Sequence, residues 1–183
     1  MMSMDYITDV VNRLINKYDT RDPVELCRCL GVRVRYKDLE KSVKAYFCCF
    51  ARIKSIVIDN RLSDFVKNVF LAHELGHAVL HKDVSMSKGF QELEIFDNTS
   101  AEEYEANLFA AELLIDDDEL LEIINEDNSF FGAARQLGVP AEMLDFKFRV
   151  MKRKGYRLEA PFYSDSKFLK NEIEGMYDEW SEC

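Results

Sequence analysis

The stretch His73-Glu74-Leu75-Gly76-His77 combines residue types and a spacing that point directly to chemistry. On a helix, histidines four apart share a face, with about 6 Å of rise between them. Two imidazoles so placed can grip one Zn²⁺ at ~2.0–2.1 Å each. Glu74 follows the first histidine and projects beside such an ion, where a carboxylate can take a proton from an activated water and pass it on. A single histidine on a packed helix face is more often a core residue than a ligand. The His-Glu-x-x-His spacing, set among Phe70, Leu71, Ala72, Leu75, Ala78 and Val79, favours a metal instead. Gly76 lets another backbone or a substrate approach closely. His81 continues the same face but lies about 12 Å along the axis from His73. It cannot share the ion with both other histidines, so it is expected in the core or behind the ligands.

Catalytic zinc takes three protein ligands and keeps one position open. The third histidine being too far away, a carboxylate must complete the set. The candidates on the next strong helical segment are Glu102, Glu103, Glu105 and Glu112. Glu105 stands among Ala106, Phe109, Ala110 and Leu113, the face expected to pack on the histidine helix. An acid in a core-facing stripe must be paired or ligating. Glu105 is therefore the expected third ligand, with Glu102 as the alternative; Glu103 suits a helix cap.

The surrounding pattern supplies elements to hold these groups. Ile7, Val10, Val11, Leu14 and Ile15 have helical spacing over residues 5–18. Asp22-Pro23 starts a second helix and Gly31 ends it. Residues 32–36, 43–50 and 53–59 are rich in Val, Ile, Tyr and Phe and predict three strands of a small antiparallel sheet. Residues 64–81 form the histidine helix, capped by Ser63 or Asp64. Residues 82–99 predict a long loop. Ser100 caps the helix over 100–115, with Glu103 at the capping-box position. The acidic triplet 116–118 caps a shorter helix; it lacks the spacing of a calcium loop. Residues 129–153 give two more helices around Gly138-Val139-Pro140, and residues 159–183 form an acidic, less regular tail. The expected division is 1–128 for the core and 129–183 for a helical extension.

Composition narrows the function classes. Apolar residues make up 48% of the 183, enough for a real core. The formal charge of −10 disfavours general binding to nucleic acid or anionic membranes. The first residues lack a secretory pattern, and no apolar run reaches the ~18 residues of a membrane span, so a cytoplasmic location is expected. Cys27, Cys29, Cys48, Cys49 and Cys183 show no Cys-x-x-Cys pair and are read as thiols in a reducing compartment.

Together, His73–His77 and the later Glu105-Ala106-Asn107-x-Phe109-Ala110-Ala111-Glu112-Leu113-Leu114 resemble the ImmA/IrrE family of zinc metallopeptidases. Residues 55–60 and Leu137-Gly138-Val139-Pro140 are also similar, so the likeness spans about residues 20–155. It implies an α+β fold: a zincin-like helical catalytic core with a small three-stranded sheet and a helix-turn-helix-like C-terminal segment. It further implies one Zn²⁺ held by His73, His77 and Glu105, with Glu74 as catalytic acid and base. Members of that family are bacterial, often carried by phages or mobile elements, and cleave an Xre-type repressor. One departure is Ile115-Asp116, where the family usually has Met-Pro; a changed helix end is expected there.

The expected reaction is hydrolysis of a peptide bond in a protein partner, with an extended substrate added to an edge of the 43–59 sheet. Tyr104 and Tyr46 are candidate oxyanion donors. Two rival readings use other features. Lys147, Arg149, Lys152, Arg153, Lys154 and Arg157 make residues 147–157 basic, which a DNA-binding regulator acting through residues 130–157 would need. Phe146, Phe148, Val150 and Met151 argue that this helix packs on the core instead. The other rival is a non-proteolytic module with a structural zinc, which would have no use for Glu74.

Overall fold

The computed structural model describes residues 1–40, 43–81, 100–125 and 129–158. The expected loop over 82–99 and the tail over 159–183 lie outside them. The elements run α1 (Met4–Tyr18), α2 (Pro23–Cys29), β1 (Arg33–Lys37), β2 (Ala45–Phe50), β3 (Ile53–Asp59), α3 (Asp64–Leu80), α4 (Ala101–Leu114), α5 (Asp117–Asn125), α6 (Phe130–Leu137) and α7 (Ala141–Arg153). This is an α+β fold.

Helix starts follow the local sequence. Ser3, Asp22, Ser63, Ser100 and Ser129 each accept a hydrogen bond from a backbone N–H of the first turn, which satisfies donors the helix itself leaves unpaired. Gly138, at φ +63°, ends α6 in the left-handed conformation that glycine adopts without penalty. At the other end of α4, Ile115 is extended and Arg21 takes over the cap. Its guanidinium donates to the carbonyls of Glu112 (3.0 Å) and Leu113 (3.1 Å) and pairs with Asp116 at 2.6 Å. Asp116 in turn accepts from the N–H groups of Asp118 and Glu119 at the start of α5.

The sheet order is β1-β3-β2, and the sheet is mixed. β2 and β3 are antiparallel, as expected, but β1 runs parallel to β3. The physical reason is the insertion of β3 between its two predecessors. The chain reverses once between β1 and β2 and again at the tight β2–β3 turn, so β3 regains the direction of β1. β2 is left as an outer strand.

α3 lies between the sheet and α4, and α4 also packs on α1 and α7. Both central helices are therefore covered on nearly every side. Residues 105–113 of α4 are buried without a break, and Leu71, Leu75, Leu108, Phe109 and Leu113 lose almost all solvent contact. Each such side chain stabilises the fold by about 1.5–3 kcal/mol relative to an exposed one. The closest approach of α3 to α4 is at Gly76. A β-carbon there would lie 3.2 Å from the Ala106 α-carbon and 3.2 Å from a ring carbon of Phe109. Among the described residues, no helix is long and apolar enough to cross a membrane.

Candidate metal centre

α3 delivers His73, Glu74 and His77 to one end of the interface with α4. The Nε2 atoms of the two histidines are 3.1 Å apart. Glu103, at the start of α4, reaches both: its oxygens lie 3.2 Å from His73 Nε2 and 3.4 Å from His77 Nε2. Three electron-rich atoms thus converge on one point, and among the described residues His73, His77 and Glu103 form a group that could hold a metal ion. The donor set fits zinc. Two nitrogens each ~2.0–2.1 Å from a tetrahedral ion would stand about 3.4 Å apart, close to the separation seen here.

The expected ligand Glu105 lies elsewhere. Its carboxylate Oε2 is 3.0 Å from His81 Nε2, and its other oxygen accepts from the backbone N–H of Met2. The reason is the wide burial of α4. An acid in a buried stripe is paired, as reasoned, but α4 has several buried faces, and Glu105 is on one directed to His81 rather than to the His73–His77 pair. Glu102 is exposed. Glu112 is buried but pairs with Lys147 and Lys154. Ser100 is the cap, and Glu103 gives it only a backbone N–H, at 3.3 Å; the Glu103 carboxylate, expected to cap, turns to the histidines instead. The signal lies in the packing and not in the spacing. The Gly76–Ala106 contact marks the α4 face that meets α3, and Glu103 precedes Ala106 by one turn on that face.

Each imidazole is also held from behind. His73 Nδ1 is 2.8 Å from Asn107 Oδ1. An amide oxygen only accepts, so His73 carries its proton on Nδ1 and presents a bare Nε2 to the centre. Asn107 is buried, one turn after Glu103 on the same face. His77 Nδ1 is 3.0 Å from His81 Nδ1.

The electrostatics suit a cation. Burial alone would raise the Glu103 carboxyl, but its close contacts with His73 and His77 outweigh it and hold the group well below the usual carboxylate range. Glu74 moves the other way. Burial raises it, opposed by the charges of His77 and His73, and the Phe47 N–H of β2 donates to its carboxylate. Glu74 therefore sits between the histidines and the outer strand. Tyr104 is directed away: its ring packs 5.6 Å from Phe146 and its hydroxyl bonds Arg149.

The basic stretch of α7 is largely spent on ion pairs. Lys147 is fully buried against Glu112 and Asp117; Arg149 pairs with Asp145, Arg153 with Asp5, and Lys154 with Glu112 and Asp117. Cys27, Cys29, Cys48 and Cys49 are free thiols, and burial pushes Cys27 up to about 12.

Comparison with known proteins shows the family of the chain. The chain is 33% identical over 141 residues, covering 77% of its own length and 88% of the relative, to "Uncharacterized immunity region protein 2" of Bacillus phage phi105. Residues 27–149, which contain His73, Glu74, His77 and Glu103, match the model of the IrrE N-terminal-like domain. The chain therefore belongs to the Peptidase M78 family of IrrE N-terminal-like domains, a metallopeptidase family.

Proposed function

We propose that this protein is a zinc-dependent endopeptidase of the bacterial cytoplasm that cleaves a helix-turn-helix repressor of the Xre type and so derepresses genes of a phage or mobile element. The observation that carries the proposal is the convergence of His73, His77 and Glu103 beside the buried carboxylate of Glu74. The phage immunity-region relative supports a repressor as partner.

In this reading His73, His77 and Glu103 hold one zinc ion. When bound, the ion supplies Lewis acidity for a peptide carbonyl and for the attacking water. Glu74 accepts a proton from that water and returns it to the departing amine nitrogen. Its bond from Phe47 keeps the carboxylate beside β2 while the proton is in transit. The substrate strand lies along the outer edge of β2, where backbone groups that do not face β3 can pair with it. A buried carboxylate beside the ligands has no task in a purely structural zinc site, which favours the catalytic reading over the non-proteolytic one.

The test is incubation of the purified protein with an Xre-type repressor from the same genome, read by mass, with and without chelator. Expected are about one zinc per chain, cleavage of the repressor, and a Glu74→Gln variant that keeps the metal but does not cleave. A protein that takes up no stoichiometric zinc after reconstitution would overturn the metal assignment. Equal cleavage by Glu74→Gln would overturn the role of Glu74.

A further inference from the structure

His81 belongs to the histidine cluster yet has no part in the reaction proposed above. It is buried, and so is Glu105 behind it. The three groups form a line: His77 Nδ1 to His81 Nδ1 at 3.0 Å, then His81 Nε2 to Glu105 Oε2 at 3.0 Å. We propose that His81 and Glu105 are positioning residues, a hydrogen-bonded chain that fixes the tautomer and ring orientation of His77 so that its Nε2 lone pair faces the metal. The proposal rests on the assignment of His77 as a ligand.

The direction of the chain follows from counting protons. A carboxylate only accepts, so the hydrogen between His81 and Glu105 sits on His81 Nε2. A neutral imidazole carries one hydrogen, which leaves His81 Nδ1 as an acceptor. His77 Nδ1 faces that acceptor and must therefore carry the hydrogen between them. His77 Nε2 is then bare, and it is this atom that lies 3.1 Å from His73 Nε2 and 3.4 Å from Glu103. No nitrogen of His81 is left over to bind the ion itself. The far end is anchored too, because the Met2 N–H donates to the second oxygen of Glu105.

The two ligand histidines thus reach the same state by different means. His73 is set by the amide oxygen of Asn107, four residues after Glu103 on α4. His77 is set by an imidazole–carboxylate relay that runs from the C-terminal end of α3 to a different face of α4. A buried carboxylate is costly unless its lone pairs are satisfied. Its presence at Glu105, with one oxygen devoted to His81, is accounted for by this role. Partners of this kind are typically worth 10–100-fold in metal affinity.

The experiment uses the full chain, stripped of metal and then titrated with zinc against a chromophoric chelator. Long-range ¹H–¹⁵N correlation of ¹⁵N-histidine-labelled, metal-free protein reads the tautomers. In the wild type, His77 is expected as the Nδ1–H form and His81 as the Nε2–H form. His81→Phe keeps a ring in the space but removes both hydrogen bonds. It should weaken zinc binding about 10–100-fold and release His77 from the Nδ1–H form. Glu105→Gln, which still offers an amide oxygen, should give a smaller loss. A packing role alone would lower the melting temperature without moving the tautomer. Zinc affinity of His81→Phe within about twofold of the wild type overturns the proposal. So does a wild-type His77 found as the Nε2–H form, a measurement that needs no variant to fold. A wild type that binds no zinc at all overturns the ligand assignment instead, and the two failures are told apart.

Discussion

Asn107 Oδ1 accepts a hydrogen bond from His73 Nδ1 at 2.8 Å, deep in the interface of α3 and α4. This contact ties the first histidine of the motif to the same helix face that presents Glu103. It also decides which nitrogen of His73 is free. Asn107→Leu, similar in size but unable to accept, should weaken zinc binding about 10–100-fold. Asn107→Asp, which still accepts, should retain most of the affinity. Competition with a chromophoric chelator measures both; equal affinity of the Leu variant and the wild type would remove Asn107 from the site.

Glu103 and Glu105 make contrasting predictions because only Glu103 lies against both Nε2 atoms. Glu103→Gln should lose zinc on dialysis, with affinity at least about tenfold lower than that of Glu105→Gln, whose effect passes through His81. Metal content after dialysis, determined by mass spectrometry, settles the order. If Glu105→Gln proved the more damaging, the third ligand would return to Glu105.

The difference between these two glutamates shows where sequence reasoning reaches its limit. The grouping of His73, Glu74 and His77 was legible because they lie on one helix, where spacing alone sets which side chains come together. The caps at Ser63, Ser100 and Asp22 were legible for the same reason: capping is local. The carboxylate that joins the two histidines comes from another helix, and choosing it requires the rotation of α4 about its own axis. Apolar residues cannot report that rotation, since residues 105–113 are buried all round. The contact of Gly76 with Ala106 fixes it in the structure, but Ala110 and Ala111 are small and buried too, so residue size alone does not single that face out in the sequence. The direction of β1 was hidden for a related reason. Strand polarity depends on which neighbour a strand pairs with, and β1 pairs with the strand after next. The β2–β3 turn carried no glycine or asparagine to announce it: Ala51 and Arg52 adopt φ +49° and +66°.

That turn yields a stability prediction. Positive φ at two successive residues is the geometry of a tight hairpin turn, which Asn-Gly fills with least strain. Non-glycine residues there pay of order 1 kcal/mol or more each. Arg52→Gly should therefore raise stability by about 1 kcal/mol, even though glycine makes the unfolded chain more flexible. Urea unfolding followed by circular dichroism measures it; a lower midpoint would show that the flexibility outweighs the relieved strain.

Gly76 predicts the reverse. Alanine is the better helix former by about 1 kcal/mol, so an exposed Gly→Ala change would stabilise. At Gly76 the added carbon would meet the Ala106 backbone at 3.2 Å, and backbone inside a packed helix yields poorly. Overpacking typically costs about 1–3 kcal/mol. Gly76→Val, larger and β-branched, should be clearly destabilising, and it should also weaken zinc binding by moving Glu103 away from the histidines. Thermal unfolding and the chelator titration together test this; a variant with lower stability but unchanged zinc affinity would show that the helices separate without disturbing the centre.

The charged cluster under α7, buried at Lys147 and Glu112 and part-exposed at Lys154 and Asp117, sets a pH dependence away from the histidines. Lys147 and Lys154 together face Glu112 and Asp117, so two ammonium groups balance two carboxylates. Burial alone would raise Asp117, but the hydrogen bonds from Lys147 and Lys154 outweigh it and lower the group from its ordinary value. A carboxyl lowered on folding contributes stability that is fully present above its unfolded pKa of about 3.9. That contribution is lost as pH falls through the lower, folded value. Asp117→Asn should therefore be less stable than the wild type at pH 7, and the gap should narrow below about pH 4. Lys147→Met keeps the volume but leaves two carboxylates facing one ammonium, and should cost about 3 kcal/mol at pH 7. Urea midpoints measured from pH 7 down to pH 3 follow both variants. A gap between wild type and Asp117→Asn that stayed constant across that range would show that Asp117 contributes by packing and not by charge.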